Sequence, residues 1–198
     1  MAAGFKYDLT PAVEMEERYD VQTGIRRRGE YKLVTEHLSV GVTLPVFAPI
    51  YADLKDKFAY PVVNVKVAEA YTTGDSNLTL KVAKGSLAYV GMFLGNGTKG
   101  AEVTAVNKNN AEYDTLTIKA AFGANLAKDA ILFEAKAVSG TQQKYVANSA
   151  LFNKKTVDDG INLVALLRTA AEIEPSKLVI PFSANDKVNL KGWFDFNE

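Results

Sequence analysis

The sequence has no cysteine, and its 198 residues include one histidine and one tryptophan. The lack of cysteine excludes disulfide bonds, thiolate catalysis and cysteine-ligated metals. A zinc site needs several histidine or cysteine ligands, and this sequence offers a single imidazole, that of His37. We therefore expect no cofactor and no such metal site. Oxygen-ligated calcium stays open at aspartates such as Asp158 and Asp159, although the following Gly160 favours a plain turn.

Motifs of catalysis are also missing. A Ser–His–Asp triad would need His37 as its base, yet no serine stands in a Gly-x-Ser-x-Gly setting. Ser39 would share a strand face with His37, but we interpret this histidine as a surface or interface residue. The glycine-rich run Gly91–Gly97 is not followed by Gly-Lys-Ser/Thr, so it predicts tight turns and not a phosphate loop. We expect that the protein is not an enzyme.

The chain lacks net charge and long apolar runs. Its 23 Lys and Arg residues balance 23 Asp and Glu residues, so no overall field attracts nucleic acid. The one basic cluster, Arg26–Arg28, lies between glutamates, which favours local neutralisation or an interface role. No apolar run approaches the roughly 20 residues of a membrane-spanning helix. Met1–Lys6 also lacks the basic-then-apolar layout of a secretory signal. We expect neither a membrane nor a nucleic-acid partner.

What the sequence does contain is a series of short β-type segments. In the valine-rich run Tyr60–Val67, alternate valines fall on one face at the spacing of a strand. Further on, Leu116 and Ile118 face inward while the threonines between and beside them face outward. About five or six such strands, separated by Gly and Asn turns, indicate a small antiparallel β-barrel or sandwich. The predicted fold class is mainly β, with an extended N-terminal arm and a β-rich, minor α, C-terminal region.

Proline, glycine and polar turn residues divide the chain into four predicted segments. They are an N-terminal arm with a proline-rich entry (1–59), the small barrel or sandwich (60–137), a polar connector (138–160) and a C-terminal β or α+β segment (161–198). A short helix is expected at Ala12–Tyr19, after Pro11. The apolar run Gly160–Arg168 suits a strand or a helix, and its short length favours a strand. Trp193–Phe196 is expected to end the chain as a strand.

Six segments between Leu44 and Ala135 carry a family resemblance. They are Leu44–Asp53, Tyr60–Val67, Val82–Gly85, Val103–Val106, Glu112–Ile118 and Asp129–Ala135. This part, just under half of the chain, resembles the head fibre (capsid decoration) proteins of tailed bacteriophages and their prophage relatives. Members usually carry a glycine before the aspartate of the last segment, where this chain has Lys128.

The resemblance implies a structural protein of the virion. Such a protein is made in the host bacterial cytoplasm, docks on the major capsid protein at the capsid surface, and acts as a homo-oligomer, commonly a trimer. The arm and the aromatic C-terminus would supply the contacts, because large apolar side chains are seldom left in water. The predicted interface residues are Tyr31, Leu33, Trp193, Phe194 and Phe196.

A second hypothesis comes from another class of proteins. The chain would be a carbohydrate- or peptide-binding β module of a bacterium, and exposed tyrosines would give it stacking surfaces. The candidates are Tyr71, Tyr89 and Tyr113. The competing interpretation of these three tyrosines is that they cap the rim of a barrel.

Overall fold

The computed structural model describes residues 18–74 and 76–197. The strands are, in chain order, β1 (Asp20–Arg26), β2 (Tyr31–Leu33), β3 (Thr43–Leu44), β4 (Pro49–Asp53), β5 (Phe58–Pro61), β6 (Asn64–Lys66), β7 (Thr79–Ala83), β8 (Phe93–Gly95), β9 (Gly100–Asn107), β10 (Tyr113–Ile118), β11 (Ile131–Ala135), β12 (Ser149–Leu151), β13 (Lys155–Thr156), β14 (Leu163–Val164), β15 (Leu166–Ile173) and β16 (Phe194–Phe196). Among the described residues, one α-helix, α1 (Ala184–Leu190), follows a short 3₁₀ helix (Pro175–Lys177). The predicted mainly β fold with a minor α C-terminal region is confirmed. Residues 1–17, and with them most of the helix predicted at Ala12–Tyr19, lie outside the described residues.

Residues 64–135 form a curled sheet of six antiparallel strands in the order β6-β11-β8-β9-β10-β7. Its two edge strands meet at a bridge between Val67 and Val82, where the Ala68 amide donates to the Lys81 carbonyl over 2.9 Å. We call this sheet the half-barrel. The alternation that predicted its strands is seen in β10, where Leu116 and Ile118 are buried and the threonines beside them are partly exposed.

The larger sheet contains strands that precede the half-barrel in the sequence and strands that follow it. Its order is β1-β15-β12-β4-β5-β2-β14, with β16 also beside β15. Most pairs are antiparallel, but β2 with β5 and β15 with β16 are parallel. The run Gly160–Arg168 holds β14 and the start of β15, as the strand interpretation predicts. The stretch 138–160 contains β12, all three residues of which are buried, and β13, which pairs with β3.

Helix α1 begins at a capping box. The Ser183 hydroxyl accepts a hydrogen bond from the Asp186 amide over 3.1 Å, and the Asp186 carboxylate accepts one from the Ser183 amide over 2.9 Å. These bonds satisfy amides that the first turn of a helix leaves without partners. α1 has seven residues, and no helix in the described part of the chain is long and apolar enough to cross a membrane.

Three glycines fix the path from the half-barrel back to the larger sheet. Gly95 and Gly100 flank the turn between β8 and β9, and Gly140 lies directly against both of them. A Cβ atom added at Gly95 or at Gly100 would stand 2.6 Å from the Gly140 Cα. The Gly97 amide also donates to the Gly140 carbonyl over 3.0 Å. Only glycine allows two backbone segments to approach this closely.

A second hydrophobic cluster lies under α1 and β16, apart from the main core between the sheets. At its centre the Phe47 ring contacts Tyr19, Phe182 and Phe194, with centroid distances of 4.9, 5.8 and 5.8 Å. Phe47 has a φ of +66°, a conformation that bulky side chains rarely adopt. The packing of the three rings around it stabilises this backbone. The C-terminal part of the chain is thereby anchored to the larger sheet.

Candidate functional site

Three of the five predicted interface residues lie in the protein's own core. Tyr31 and Leu33 are buried in β2, which pairs with β5 on one side and β14 on the other. The Tyr31 hydroxyl accepts a hydrogen bond from the Lys57 ammonium over 3.3 Å. Phe194 is buried against Phe47. These side chains present little surface to another molecule, and their part in an interface stays a prediction.

The other two predicted interface residues have exposed surface. Trp193 is 49% exposed, and the Arg168 guanidinium lies 4.5 Å from the centre of its ring. Phe196 is partly exposed, and the Lys187 ammonium lies 5.2 Å from its ring centre. Cations over ring faces of this kind leave the ring edges free for further contacts.

The tyrosines proposed for carbohydrate stacking are occupied by other parts of the chain. Tyr71 is buried, and its hydroxyl donates to the Asn77 carbonyl over 2.7 Å. The Tyr89 ring is stacked on His37, and the Tyr113 ring lies 4.7 Å from the Lys81 ammonium. The three tyrosine rings therefore do not form a common exposed surface on which a sugar could stack.

A small cavity lies where the two sheets meet, and we call it the aromatic cavity. Its volume is about 40 Å³. The lining side chains that matter most are His37, Tyr60, Tyr89, Glu134, Lys144 and Tyr145. Pockets for drug-sized ligands run to roughly 300–1,000 Å³. The aromatic cavity has room for a single functional group and not for a whole sugar ring.

Two stacked aromatic pairs line this cavity. The rings of His37 and Tyr89 are nearly parallel, at 9°, with centroids 3.9 Å apart. Those of Tyr60 and Tyr145 are tilted by 24°, with centroids 4.8 Å apart. Tyr60 comes from β5, where it pairs with Tyr51, and the Tyr51 ring also stacks on Tyr145 at 5.5 Å. Aromatic rings attract cations, and the Lys144 ammonium lies 5.6 Å from the centre of the Tyr145 ring.

A buried carboxylate supplies the cavity's polar group. Glu134 in β11 is almost fully buried, and its Oε1 accepts hydrogen bonds from the Tyr89 hydroxyl and, over 2.7 Å, from the Lys144 ammonium. Its second oxygen, Oε2, receives no hydrogen bond from any residue within 18–74 or 76–197. Glu36 also lines the cavity, and its side chain is 74% exposed. The lining thus has two carboxylates against one ammonium.

Two tyrosines of the cavity have raised pKa values. Burial raises the pKa of the Tyr89 hydroxyl far above its usual range, and its hydrogen bond to Glu134 and the charges of Glu134 and Glu36 raise it further. Burial also raises the pKa of Tyr145, which the nearby Lys144 ammonium partly offsets. Both tyrosines are held in their neutral form, so they act as hydrogen-bonding and stacking groups and not as nucleophiles.

Components for other chemistry are not brought together. His37 Nε2 is 3.9 Å from a Glu36 carboxylate oxygen, and no hydrogen bond joins it to Ser39 within the described residues. No group of three or more His, Asp or Glu side chains that could hold a metal ion is found in the described ranges. The arrangement can bind a small cationic group through Glu134 and the ring faces.

Sequence reasoning missed Glu134, Lys144, Tyr60 and Tyr145 as a group. One signal was present, because Glu134 shares its strand face with Leu132, which is fully buried. A charged residue on the inward face of a strand indicates a buried ion pair or a binding group. Lys144 and Tyr145 follow a hairpin in the stretch predicted as a connector, and nothing in their local sequence places them beside Glu134.

A second buried carboxylate, Asp186, joins the parts of the fold. Its two oxygens accept four hydrogen bonds, over 2.7 to 3.0 Å, from the side chains of Asn64 and Gln143 and the amides of Ala147 and Ser183. Asn64 belongs to the half-barrel, Ala147 lies two residues before β12 of the larger sheet, and Ser183 caps α1. All four donors are neutral, and the site is closed to solvent. Asp186 therefore holds the structure together and is not a site for a ligand.

Comparison with known proteins gives one match. The family model for head fiber proteins of phages matches residues 1–194 of the 198-residue chain. No curated protein and no solved structure matches the sequence. The match extends well beyond Leu44–Ala135, the part in which the sequence resemblance was seen, and it includes both sheets. The chain belongs to the phage head fiber protein family, and it is a structural protein of a phage.

Proposed function

We propose that this protein is a head fibre or decoration component attached to the outer surface of a phage or prophage capsid, where it acts as a homo-oligomer, with a trimer as the expected form. The observation that carries the proposal is the family match over residues 1–194. The protein is made in the host cytoplasm and joins the virion through the major capsid protein. Its zero formal net charge agrees with a protein partner more than with nucleic acid.

The surface of the larger sheet supports contact with a partner. Val21 and Ile25 in β1 are 60% and 59% exposed, and Trp193, just before β16, is 49% exposed. β1 and β16 both pair with β15, so these apolar side chains lie around the same strand. Exposed apolar side chains that gather in one region mark interaction surfaces more often than isolated ones do.

Oligomeric state is the first test. Light scattering after gel filtration is expected to give a multiple of the 21.5 kDa chain mass. Trp193 is the only tryptophan, so its emission reports on its own surroundings. If it lies in the interface, dilution will shift the emission to longer wavelength as the oligomer dissociates. A chain that stays monomeric at high concentration, with unchanged emission, contradicts the homo-oligomer.

Capsid attachment is the second test. Purified protein is mixed with capsids of the encoding phage that lack it, and the capsids are sedimented. We expect the protein to pellet with capsids and to saturate at a fixed number of copies. Trp193→Ala is expected to reduce the amount of protein that pellets. The matched control is Val188→Ala on α1, where Val188 is 76% exposed, and it should pellet like the unchanged protein. Failure of the unchanged protein to pellet with the capsids contradicts the proposal.

A further inference from the structure

Arg28 is the arginine for which the described residues offer no partner. Arg18 donates to a carbonyl, Arg27 bonds Ser149 and the Asn148 carbonyl, and Arg26 and Arg168 lie over aromatic rings. Arg28 makes no hydrogen bond, ion pair or ring contact with residues 18–74 or 76–197, and it is exposed on the turn between β1 and β2. A planar, permanently charged group is thus presented outward on a short turn.

The aromatic cavity matches a guanidinium group in size and chemistry. Its volume of about 40 Å³ suits the end of one side chain. The rings of His37, Tyr60 and Tyr89 line the cavity, and guanidinium groups stack on aromatic rings. The Tyr145 ring already has the Lys144 ammonium 5.6 Å from its centre. The Oε2 atom of Glu134, which has no donor among the described residues, is the acceptor that a guanidinium N–H requires.

We propose that the aromatic cavity of one copy binds the Arg28 side chain of a second copy, with Glu134 and Glu36 as the acceptors. This inference rests on the homo-oligomer of the proposed function and names one of its contacts. The two surfaces differ, so the contact is heterologous, and repeating it around a rotation axis closes a ring. The excess of one carboxylate over the Lys144 ammonium supplies the charge complementarity.

Removal of the arginine tests one half of the contact. Arg28→Ala changes an exposed residue and leaves the fold intact. We expect about tenfold or more weaker self-association, as for an arginine at the centre of an interface. The matched control is Arg26→Ala, which removes a neighbouring arginine that lies over Phe152. Equal weakening by both variants, or by neither, overturns the proposal.

Reversal of charge tests the other half without disturbing buried groups. Glu36→Arg places a cation at the cavity mouth and is expected to weaken self-association as much as Arg28→Ala. Glu112→Arg is the control, because Glu112 is exposed and far along the chain in the half-barrel. Mixing Arg28→Ala protein with Glu36→Arg protein leaves one intact arginine and one intact cavity. Such a mixture is expected to form dimers that do not close into rings, and a mixture that stays monomeric counts against the proposal.

A small probe tests the cavity itself. N-acetyl-arginine amide is titrated into Arg28→Ala protein and followed by NMR of the His37 ring and the tyrosine rings. We expect saturable shifts in the millimolar range that are absent with the neutral citrulline analogue and lost in the Glu36→Arg variant. Equal shifts with the citrulline analogue, or none with the arginine probe, overturn the assignment.

The results separate this inference from the proposed function. If the unchanged protein is a monomer, the homo-oligomer is wrong, and the arginine probe alone decides whether the cavity binds guanidinium. If the unchanged protein is an oligomer that tolerates Arg28→Ala and Glu36→Arg, the oligomer stands and this contact is wrong.

Discussion

The half-barrel and the larger sheet are built in contrasting ways. The half-barrel is made from one continuous stretch, residues 64–135, in which all neighbouring strands are antiparallel. The larger sheet combines β1, β2, β4 and β5 with β12 and β14–β16 and includes two parallel pairs. It shows register shifts where β15 meets β1 and β16, and the half-barrel shows one between β9 and β10. Both sheets pair distant strands, as β6 with β11 in the half-barrel and β1 with β15 in the larger sheet. Such pairs form more slowly than hairpins, and contacts between distant segments anchor them.

Those anchors are polar and steric. Asp186 joins three segments through hydrogen bonds (β6, residues 143–147 and the start of α1), and Gly140 docks the hairpin after β11 onto the half-barrel. The half-barrel is held internally by alternating apolar residues, whereas its attachment to the rest of the chain depends on single residues, Asp186 and Gly140. Four substitutions test this difference, in order of decreasing expected effect.

Asp186→Asn is expected to have the largest effect. The variant keeps the shape but turns an NH₂ group toward N–H donors, and each buried donor left unpaired costs about 1–3 kcal/mol. We expect the free energy of unfolding to fall by about 2–5 kcal/mol in urea. Asp195→Asn, at an exposed position, is the control. Hydrogen exchange should show more loss of protection in the larger sheet than in the half-barrel, and equal loss in both would contradict the contrast.

Gly95→Ala comes second. The new Cβ would overlap the Gly140 backbone, and backbone cannot move aside as a flexible side chain can. Overpacking of this kind costs about 1–3 kcal/mol in the free energy of unfolding. Gly74→Ala is a matched control, because nothing lies within 4 Å of its added Cβ and its φ is not positive. A loss at Gly95 no larger than at Gly74 would show that the hairpin is not held in this way.

Tyr89→Phe tests the contact of Tyr89 with the Glu134–Lys144 ion pair through its pH dependence. The folded state raises the pKa of Tyr89, so above the unfolded pKa of about 10 the unfolded chain loses a proton that the folded chain keeps. The contribution of Tyr89 to the free energy of unfolding is therefore complete below pH 10 and decreases as the pH rises. The decrease is at most about 1.4 kcal/mol per pH unit, and solvent screening of this partly exposed group makes it smaller. Urea unfolding between pH 9 and about 11 should show a shallower decline in Tyr89→Phe than in the unchanged protein. Tyr113→Phe is the control and should keep the original slope.

Glu172 is expected to give the smallest effect. This exposed residue of β15 has a φ of +53°, between the two register positions at which β15 meets β16. Glycine relieves the strain of that backbone, whereas alanine does not. We expect Glu172→Gly to be more stable than Glu172→Ala by about 0.5–1 kcal/mol, measured by thermal unfolding. The reverse order would place the irregularity of the larger sheet elsewhere.

The sequence predicts the half-barrel better than the rest because its signals are local. Alternation in β10 correctly places Leu116 and Ile118 inside, and it also places Asp114 on that inward face, where the structure buries it against Ser86 and Lys84. In the larger sheet, the local sequence of Tyr31 and Leu33 suggests exposed interface residues. The strands that bury them, β5 and β14, are distant in the chain, so their pairing with β2 is not visible in the sequence.

The candidate site was beyond sequence reasoning for the same reason. The aromatic cavity takes residues from five separate places between His37 and Tyr145, and no spacing rule relates them. Buried carboxylates such as Glu134 and Asp186 are also rare enough that composition does not reveal them. The absence of catalytic motifs, by contrast, is visible in the sequence itself.

The chain enters the half-barrel through β6 and leaves it through β11. These two strands are paired, with Lys66 opposite Ile131. Everything between them forms a loop of chain whose two ends stand side by side. A change of length within this cassette therefore need not move the two points at which the chain leaves and rejoins the larger sheet.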